Sequence, residues 1–329
     1  MKAVLLRQPG GPDNMVIGDA PDPEMGEADL LVEVKATALN RADLLQRRGM
    51  YPPPEGASPI LGLEMAGIVI AAGKRTNGWL PGDRVFALLP GGGYAEKAVV
   101  PEGMAMRIPE QLTFAEAAAI PEAFFTAYLN LFELGQAKKG DRVLIHAGAS
   151  GVGTAAIQLA RDSGLHALAT AGSERKLAAC LALGAARGWN YRKGAFLPEL
   201  LDFTEGKGVD IVLDFVGAPY FHDHMRALAV GGRLIVIGLL GGGKVDGVDL
   251  GQILARRIQI IGTALRSQPL AKKIALTQTF SRSVLPKFAS GEIKPVIDSI
   301  FDWRDVVKAH ERMERNENIG KIILKMDGQ

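Results

Sequence analysis

The chain has 329 residues, 47% hydrophobic and 22% charged, and its 38 lysines and arginines exceed its 36 aspartates and glutamates by two. At roughly 150 residues per domain this length predicts two domains, and the apolar content excludes a disordered chain. So small a basic excess gives no general electrostatic grip on nucleic acid, and a single cysteine, Cys180, excludes an internal disulfide or a cysteine-built metal site.

The first third reads as short strands, MKAVLL, LLVEVKATAL at 30–39, AGIVIAA at 66–72 and DRVFALL at 83–89, separated by the connectors PGGPDN, PDPEMGE, YPPPEG and PGGGY. Such spacing predicts a folded-over antiparallel β domain. From about residue 122 strand and helix alternate. DRVLIHAG, HALATA, GWNY, VDIVLDFVG and GGRLIVIG are the strands, with helices over 151–163, 173–183, 195–205 and 219–229. Uniformly apolar strands between helices predict a parallel sheet covered on both faces. The last 60 residues break that rhythm with a helix, the strand KPVIDSIF, the charged helix WRDVVKAHERMERN and a final strand GKIILKM. Cys180, in LAACLALGA, reads as a small buried apolar side chain. MKAVLLRQPGG shows no signal-peptide pattern and no stretch is apolar enough to span a membrane, so a cytoplasmic enzyme is expected.

VLIHAGASGVGTAAIQLA places Gly151, Gly153 and Ala156 in a G-x-G-x-x-A pattern between an apolar strand and a helix. Glycines there let the backbone approach a pyrophosphate, and the helix N-terminus offsets its charge. An acidic residue about 20 positions on would hold the ribose hydroxyl of NAD. Here the second strand ends instead in Thr170-Ala171-Gly172-Ser173, followed by Glu174-Arg175-Lys176. Small residues, a hydroxyl and two cations suit a 2′-phosphate, so NADPH is the expected cofactor. Tyr191 on the next strand is a further candidate for that phosphate; the plainer reading leaves Arg175 and Lys176 coating an exposed helix.

These segments together resemble the medium-chain dehydrogenase/reductase superfamily, and within it the zinc-free quinone oxidoreductases. The resemblance rests on MKAV, ALNRADLLQRRGMYPPP, LGLEMAGIV, PGDRVFAL, GGYAE, AAAIPEAFFTAY, the phosphate loop and NENIGKIIL. HAGASGVGTAAIQLA and TAGSERKL are most similar to the stress-inducible NADPH quinone oxidoreductase branch of animals. The fold implied is α/β, a GroES-like β domain plus a Rossmann doubly wound parallel-sheet domain. Residues 1–121 would begin the GroES-like catalytic domain, 122–265 form the Rossmann NADPH-binding domain, and 266–329 return to the catalytic domain. A homodimer is implied as well.

The resemblance also implies site residues. The cofactor would be held by Ala149, Ser150, Gly151 and Val152, by Gly172, Ser173, Lys176 and Tyr191, and by Val216, Gly238, Leu239, Leu240, Leu265, Arg266 and Asn318. Where zinc alcohol dehydrogenases of the superfamily carry a cysteine and a histidine ligand, this chain has Asn40 and Leu63, the latter in Gly62-Leu63-Glu64. A catalytic zinc needs three protein ligands, so no metal is expected. His222 and His224, two residues apart, do not share a helix face and read as surface or capping residues. Without a Lewis acid the acceptor must already be electrophilic, which implies NADPH-dependent reduction of quinones. Catalytic candidates are Asn40, Asp43, Tyr51 and Thr126. Tyr51 either donates its phenol proton to a quinone oxygen or packs on its neighbouring prolines; Asp43 has an equally plain structural reading. The alternatives are an NADPH-dependent reductase of α,β-unsaturated carbonyls and a low-turnover NADPH-binding or RNA-binding accessory protein.

Overall fold

The computed structural model describes residues 1–326. The last three positions of the expected return segment, 327–329, lie outside the described residues. Seven strands make up the first part of the chain: β1 (Lys2–Leu6), β2 (Met15–Asp19), β3 (Asp29–Ala38), β4 (Glu64–Ala72), β5 (Arg84–Leu88), β6 (Lys97–Pro101) and β7 (Ala105–Arg107). Six more follow: β8 (Arg142–Ile145), β9 (His166–Ala171), β10 (Arg187–Asn190), β11 (Val209–Asp214), β12 (Leu228–Val236) and β13 (Gln259–Gly262). The chain closes with β14 (Ile297–Asp302) and β15 (Lys321–Lys325).

It divides into two compact units, Met1–Phe125 with Leu265–Gln329, and Thr126–Ala264. In the first, a sheet runs β14-β15-β3-β4-β5-β7, with β6 also paired to β3 and β1-β2 as a separate antiparallel ribbon. All pairs of the sheet are antiparallel except β14-β15, which is parallel. β3 alternates buried and half-buried residues, with Leu30, Val32, Val34 and Ala36 inward, the period-two signature of a sheet with one face on a core. That core gathers Val4, Leu39, Leu61 and Tyr94 from the start of the chain with Trp303, Val306, Ile322 and Leu324 from its end. The C-terminal segment is thus part of the first unit because its apolar residues complete that core.

The second unit is a six-stranded parallel sheet in the order β10-β9-β8-β11-β12-β13. This is the doubly wound arrangement whose order reverses between the first and fourth strands, β8 and β11, where ligands of such folds bind. The central strands β8 and β11 are buried along most of their length, and helix residues Phe196, Leu197 and Leu200 pack on Leu144, Leu168, Val212 and Leu234. Cys180 is fully buried, and burial pushes its thiol up to about 11, so it packs as an inert apolar group. Among the described residues no helix is long and apolar enough to cross a membrane.

Candidate active site

In the second unit β8 runs through His146 and Ala147 into the helix Gly151–Asp162. Ser150 caps that helix, its Oγ accepting from Gly153 N at 3.0 Å, so the loop and the helix start are one hydrogen-bonded piece. A Cβ at Gly153 would lie 2.6 Å from the Gly148 carbonyl oxygen, so only glycine fits where the turn folds back on the helix. Ala149 is buried, while Ser150, Gly151 and Val152 are partly open to solvent. Backbone amides with that exposure at a helix N-terminus fit a pyrophosphate.

At the tip of β9 a Cβ on Gly172 would meet the Tyr191 hydroxyl at 2.6 Å, so Tyr191 lies against the glycine. Ser173 caps the helix Glu174–Ala182, accepting from Lys176 N at 3.3 Å, which puts Ser173, Lys176 and Tyr191 around one strand end. Glu174 does not oppose an anion there, because its carboxylate binds Lys193 and Asn190, both at 2.9 Å. The loops after β11 and β12 are laced together by Gly241 N to Val216 O, 2.7 Å, and Leu240 N to Phe215 O, 3.1 Å. Asp214 holds the first of them by accepting from the amides of Val216 and Gly217. Val216, Gly238, Leu239 and Leu240 therefore share one rim, with Leu239 and Leu240 exposed.

The histidine expectation needs correction. His222 is exposed, but His224 is wholly buried, 2.8 Å from the Nε2 of His146, whose Nδ1 lies 2.8 Å from Thr170 Oγ1. Spacing along the helix Phe221–Ala227 shows that the two histidines diverge; it cannot show which side the sheet covers. Burial drives both His146 and His224 below the ordinary imidazole value, the latter to about 3, so both are neutral.

The remaining candidates except Thr126 lie in the first unit. Asn40 donates to Glu64 Oε1 at 2.8 Å and its Oδ1 accepts from Lys321 Nζ at 2.5 Å. Lys321 also donates to Glu64 Oε1, 2.7 Å, and to the Leu39 carbonyl, 2.8 Å. Glu64 Oε2 accepts from Glu122 N at 2.8 Å. Asn40 Oδ1 and Glu64 Oε1 are thus both bound by a buried lysine, and Leu63 beside them presents only alkyl carbon. Among the described residues no three His, Cys, Asp or Glu side chains group to hold a metal ion.

Asp43 is buried and accepts from Asn40 N, 2.7 Å, Gly62 N, 3.0 Å, and Tyr94 Oη, 3.4 Å. It ties the start of the helix Arg41–Arg47 to the loop before β4, and burial pushes its carboxyl up to about 6. Its hydrogen bonds come from two backbone amides and a buried phenol.

Tyr51 is half-buried, with the Arg266 guanidinium 5.3 Å from its ring centre. Arg266 is buried, donating from Nε to the Pro90 carbonyl, 2.7 Å, and from Nη2 to Gln46 Oε1, 2.8 Å. Leu265 and Asn318 are buried in the same unit, Asn318 donating to the Gly320 carbonyl at 2.8 Å. Thr126 begins the second unit; its carbonyl accepts from Asn130 at 2.8 Å. The structure brings Tyr51 and Arg266 together, and separately Asn40, Asp43 and Glu64.

Two family models match this chain, an alcohol dehydrogenase GroES-like domain over residues 26–110 and a zinc-binding dehydrogenase domain over 151–281. Human quinone oxidoreductase is 31% identical over 331 residues, covering 98% of this chain and 97% of that protein. The chain belongs to the medium-chain dehydrogenase/reductase superfamily. Its two units are the GroES-like and Rossmann-type domains of that superfamily. A Pseudomonas syringae pv. tomato quinone oxidoreductase has the same fold, with a TM-score of 0.88, 30% identity and coverage of 98% of this chain and 99% of that one. So does an NAD-dependent alcohol dehydrogenase, at a TM-score of 0.88, 32% identity and coverage of 99% and 100%. Such relatives make the protein an NAD(P)H-dependent oxidoreductase acting on a small molecule.

Two further residues of this superfamily member, Lys321 and Glu122, meet at Glu64. Neither Lys321, in GKIILKM, nor Glu122, in AAAIPEAFF, stands in a metal-ligand or nucleophile motif. An acid alone within so apolar a run was the available signal for Glu122.

Proposed function

We propose that the protein reduces quinones with NADPH, without a metal. The observation that carries this reading is the commitment of Asn40 and Glu64 to Lys321, which leaves Tyr51 and Arg266 as hydrogen-bond donors and no Lewis acid to activate an alcohol or a plain ketone. A quinone is electrophilic enough to need only such donors. Burial raises the Tyr51 phenol above its ordinary value, so it keeps its proton at neutral pH and offers a hydrogen bond. Bound NADPH supplies the hydride. The phosphate loop Ala149–Val152 would take the pyrophosphate, with Ser173, Lys176 and Tyr191 around the 2′-phosphate.

The test is cofactor oxidation with 1,2- and 1,4-quinones, enones and alcohols, with each nucleotide and with a chelator. Fastest turnover with NADPH and a quinone, untouched by chelator, is expected; faster C=C reduction, or a preference for NADH, would overturn it. Charge-assisted bonds contribute about 1.5–3 kcal/mol, so Lys176→Ala should weaken NADPH binding about tenfold or more and leave NADH nearly unchanged. Equal losses for both nucleotides in calorimetric titrations would remove Lys176 from the phosphate site. Tyr51→Phe should lower kcat with 1,2-quinones about tenfold, less than the ~10²–10³ typical of a lost oxyanion donor, because quinones are intrinsically reactive. An unchanged kcat would make Tyr51 a packing residue.

We also read the protein as a homodimer. Among the described residues β13 is an edge strand, paired only to β12 and carrying exposed Ile260, and the helix Leu250–Arg256 that precedes it exposes Leu250 and Leu254. A free apolar edge of this kind suits a second copy about a two-fold axis. A monomeric mass in solution at micromolar concentration would contradict this.

A further inference from the structure

Among the described residues, two side-chain polar atoms of the first unit are shielded from water and have no hydrogen-bond partner, Glu122 Oε2 and Arg266 Nη1. The rest of Arg266 is fully engaged, Nε and Nη2 holding Pro90 and Gln46. The backbone amide of Glu122 anchors it to Glu64. The two side chains act on each other through their charges, and both act on Tyr51 and Lys273, yet Oε2 and Nη1 do not bond to one another. Lys273 is turned to the Arg266 carbonyl, 3.2 Å away.

Buried acids without a paired cation avoid ionising. Burial first, then the Glu64 carboxylate, push the Glu122 carboxyl up to about 8, with Asp43 adding to the effect and Lys321 and Arg266 opposing it. Glu122 is therefore a carboxylic acid at neutral pH, with a proton and an open hydrogen-bonding valence. Arg266 Nη1 supplies a second open donor nearby. Two unspent donors of this kind complement an oxygen that gains negative charge during reaction. Tyr51, with a phenol that holds its proton more firmly than usual, is a poorer acid than Glu122.

We propose that Glu122 is the acid that protonates the quinone oxygen, while Arg266 Nη1 stabilises the charge developing there. The proposal rests on the quinone reading above. In the step, the Glu122 O–H bond breaks and a new O–H bond forms on the quinone oxygen, whose electron pair derives from the hydride added to the quinone at the expense of NADPH. The quinone is reduced to the hydroquinone, and the Glu122 carboxylate, on a residue that is partly open to solvent, recovers its proton from water.

The test compares wild type, Glu122→Gln and Glu122→Asp. Gln keeps the shape and the neutrality but has no acidic proton. With a quinone that wild type reduces, Glu122→Gln should lower kcat about 10²-fold, abolish the fall in kcat above about pH 8, and leave NADPH affinity unchanged. Glu122→Asp should recover part of the rate and the alkaline limb. Separately, the infrared difference between wild type and Glu122→Gln should contain the C=O stretch of a protonated carboxylic acid, and that band should shift when a quinone is added without NADPH. A variant retaining both kcat and the alkaline limb overturns the proposal, as does an absent or unresponsive carboxylic-acid band. If wild type reduces no quinone, the quinone reading falls by that result alone, and the infrared arm still decides whether Glu122 holds a proton against a bound quinone.

Discussion

Lys321→Ala is expected to destabilise the protein by about 3–5 kcal/mol, the usual effect of leaving one member of a buried ion pair behind. Three donor hydrogens of Lys321 meet the Leu39 carbonyl, Asn40 Oδ1 and Glu64 Oε1. Without the ammonium, Glu64 keeps bonds from Asn40 Nδ2 and Glu122 N, but its charge is buried and uncompensated. Replacing both charges with apolar groups of similar volume, Glu64→Leu with Lys321→Met, should recover most of the loss, because desolvating a pair offsets much of its attraction. Denaturant unfolding of the two single variants and the double variant measures the coupling. A Lys321→Ala loss below about 1 kcal/mol would mean that the pair behaves like an exposed one.

Stability should peak near neutral pH and fall on both sides. His146, His224 and His310 are fully buried, and burial holds all three below the imidazole value, His224 and His310 at about 3. Below the unfolded value near 6.5 the unfolded chain takes up protons that the folded chain refuses, so stability falls as pH drops from about 6.5. Glu122 and Asp43, raised to about 8 and about 6, have the opposite sign. Between their unfolded and folded values the folded chain holds the extra proton, so their contribution grows as pH falls and is lost as pH rises through the folded value. Near pH 5.5 the three histidines outweigh the two acids by about one proton, a slope of about 1–2 kcal/mol per pH unit. Above pH 7 Glu122 dominates and the slope reverses. A melting temperature that is flat between pH 5 and 7, or still rising beyond pH 8, would refute this balance. His146→Asn or His310→Gln should flatten the acid side.

The features that local chemistry dictates were legible without a structure. Gly151, Gly153 and Ala156 follow an apolar strand and open a helix, so the loop reads directly as a phosphate cradle, and the helix that Ser173 caps follows from the cap residue itself. Apolar runs separated by helical periodicity also announced a parallel sheet. The β14-β15 pairing did not show itself, since strand patterning is blind to the direction of the partner. Nor did the burial of His224, which depends on His146, 78 positions earlier on another element.

Only tertiary structure decided the chemistry of the first unit. Lys321 meets Glu64 across 257 residues of chain, and Arg266 meets Gln46 across 220. Whether an acid such as Glu122 is an exposed helix charge or a protonated carboxylic acid depends on desolvation and on the charges around it. These belong to the folded surroundings of a residue, so no short stretch of sequence encodes them.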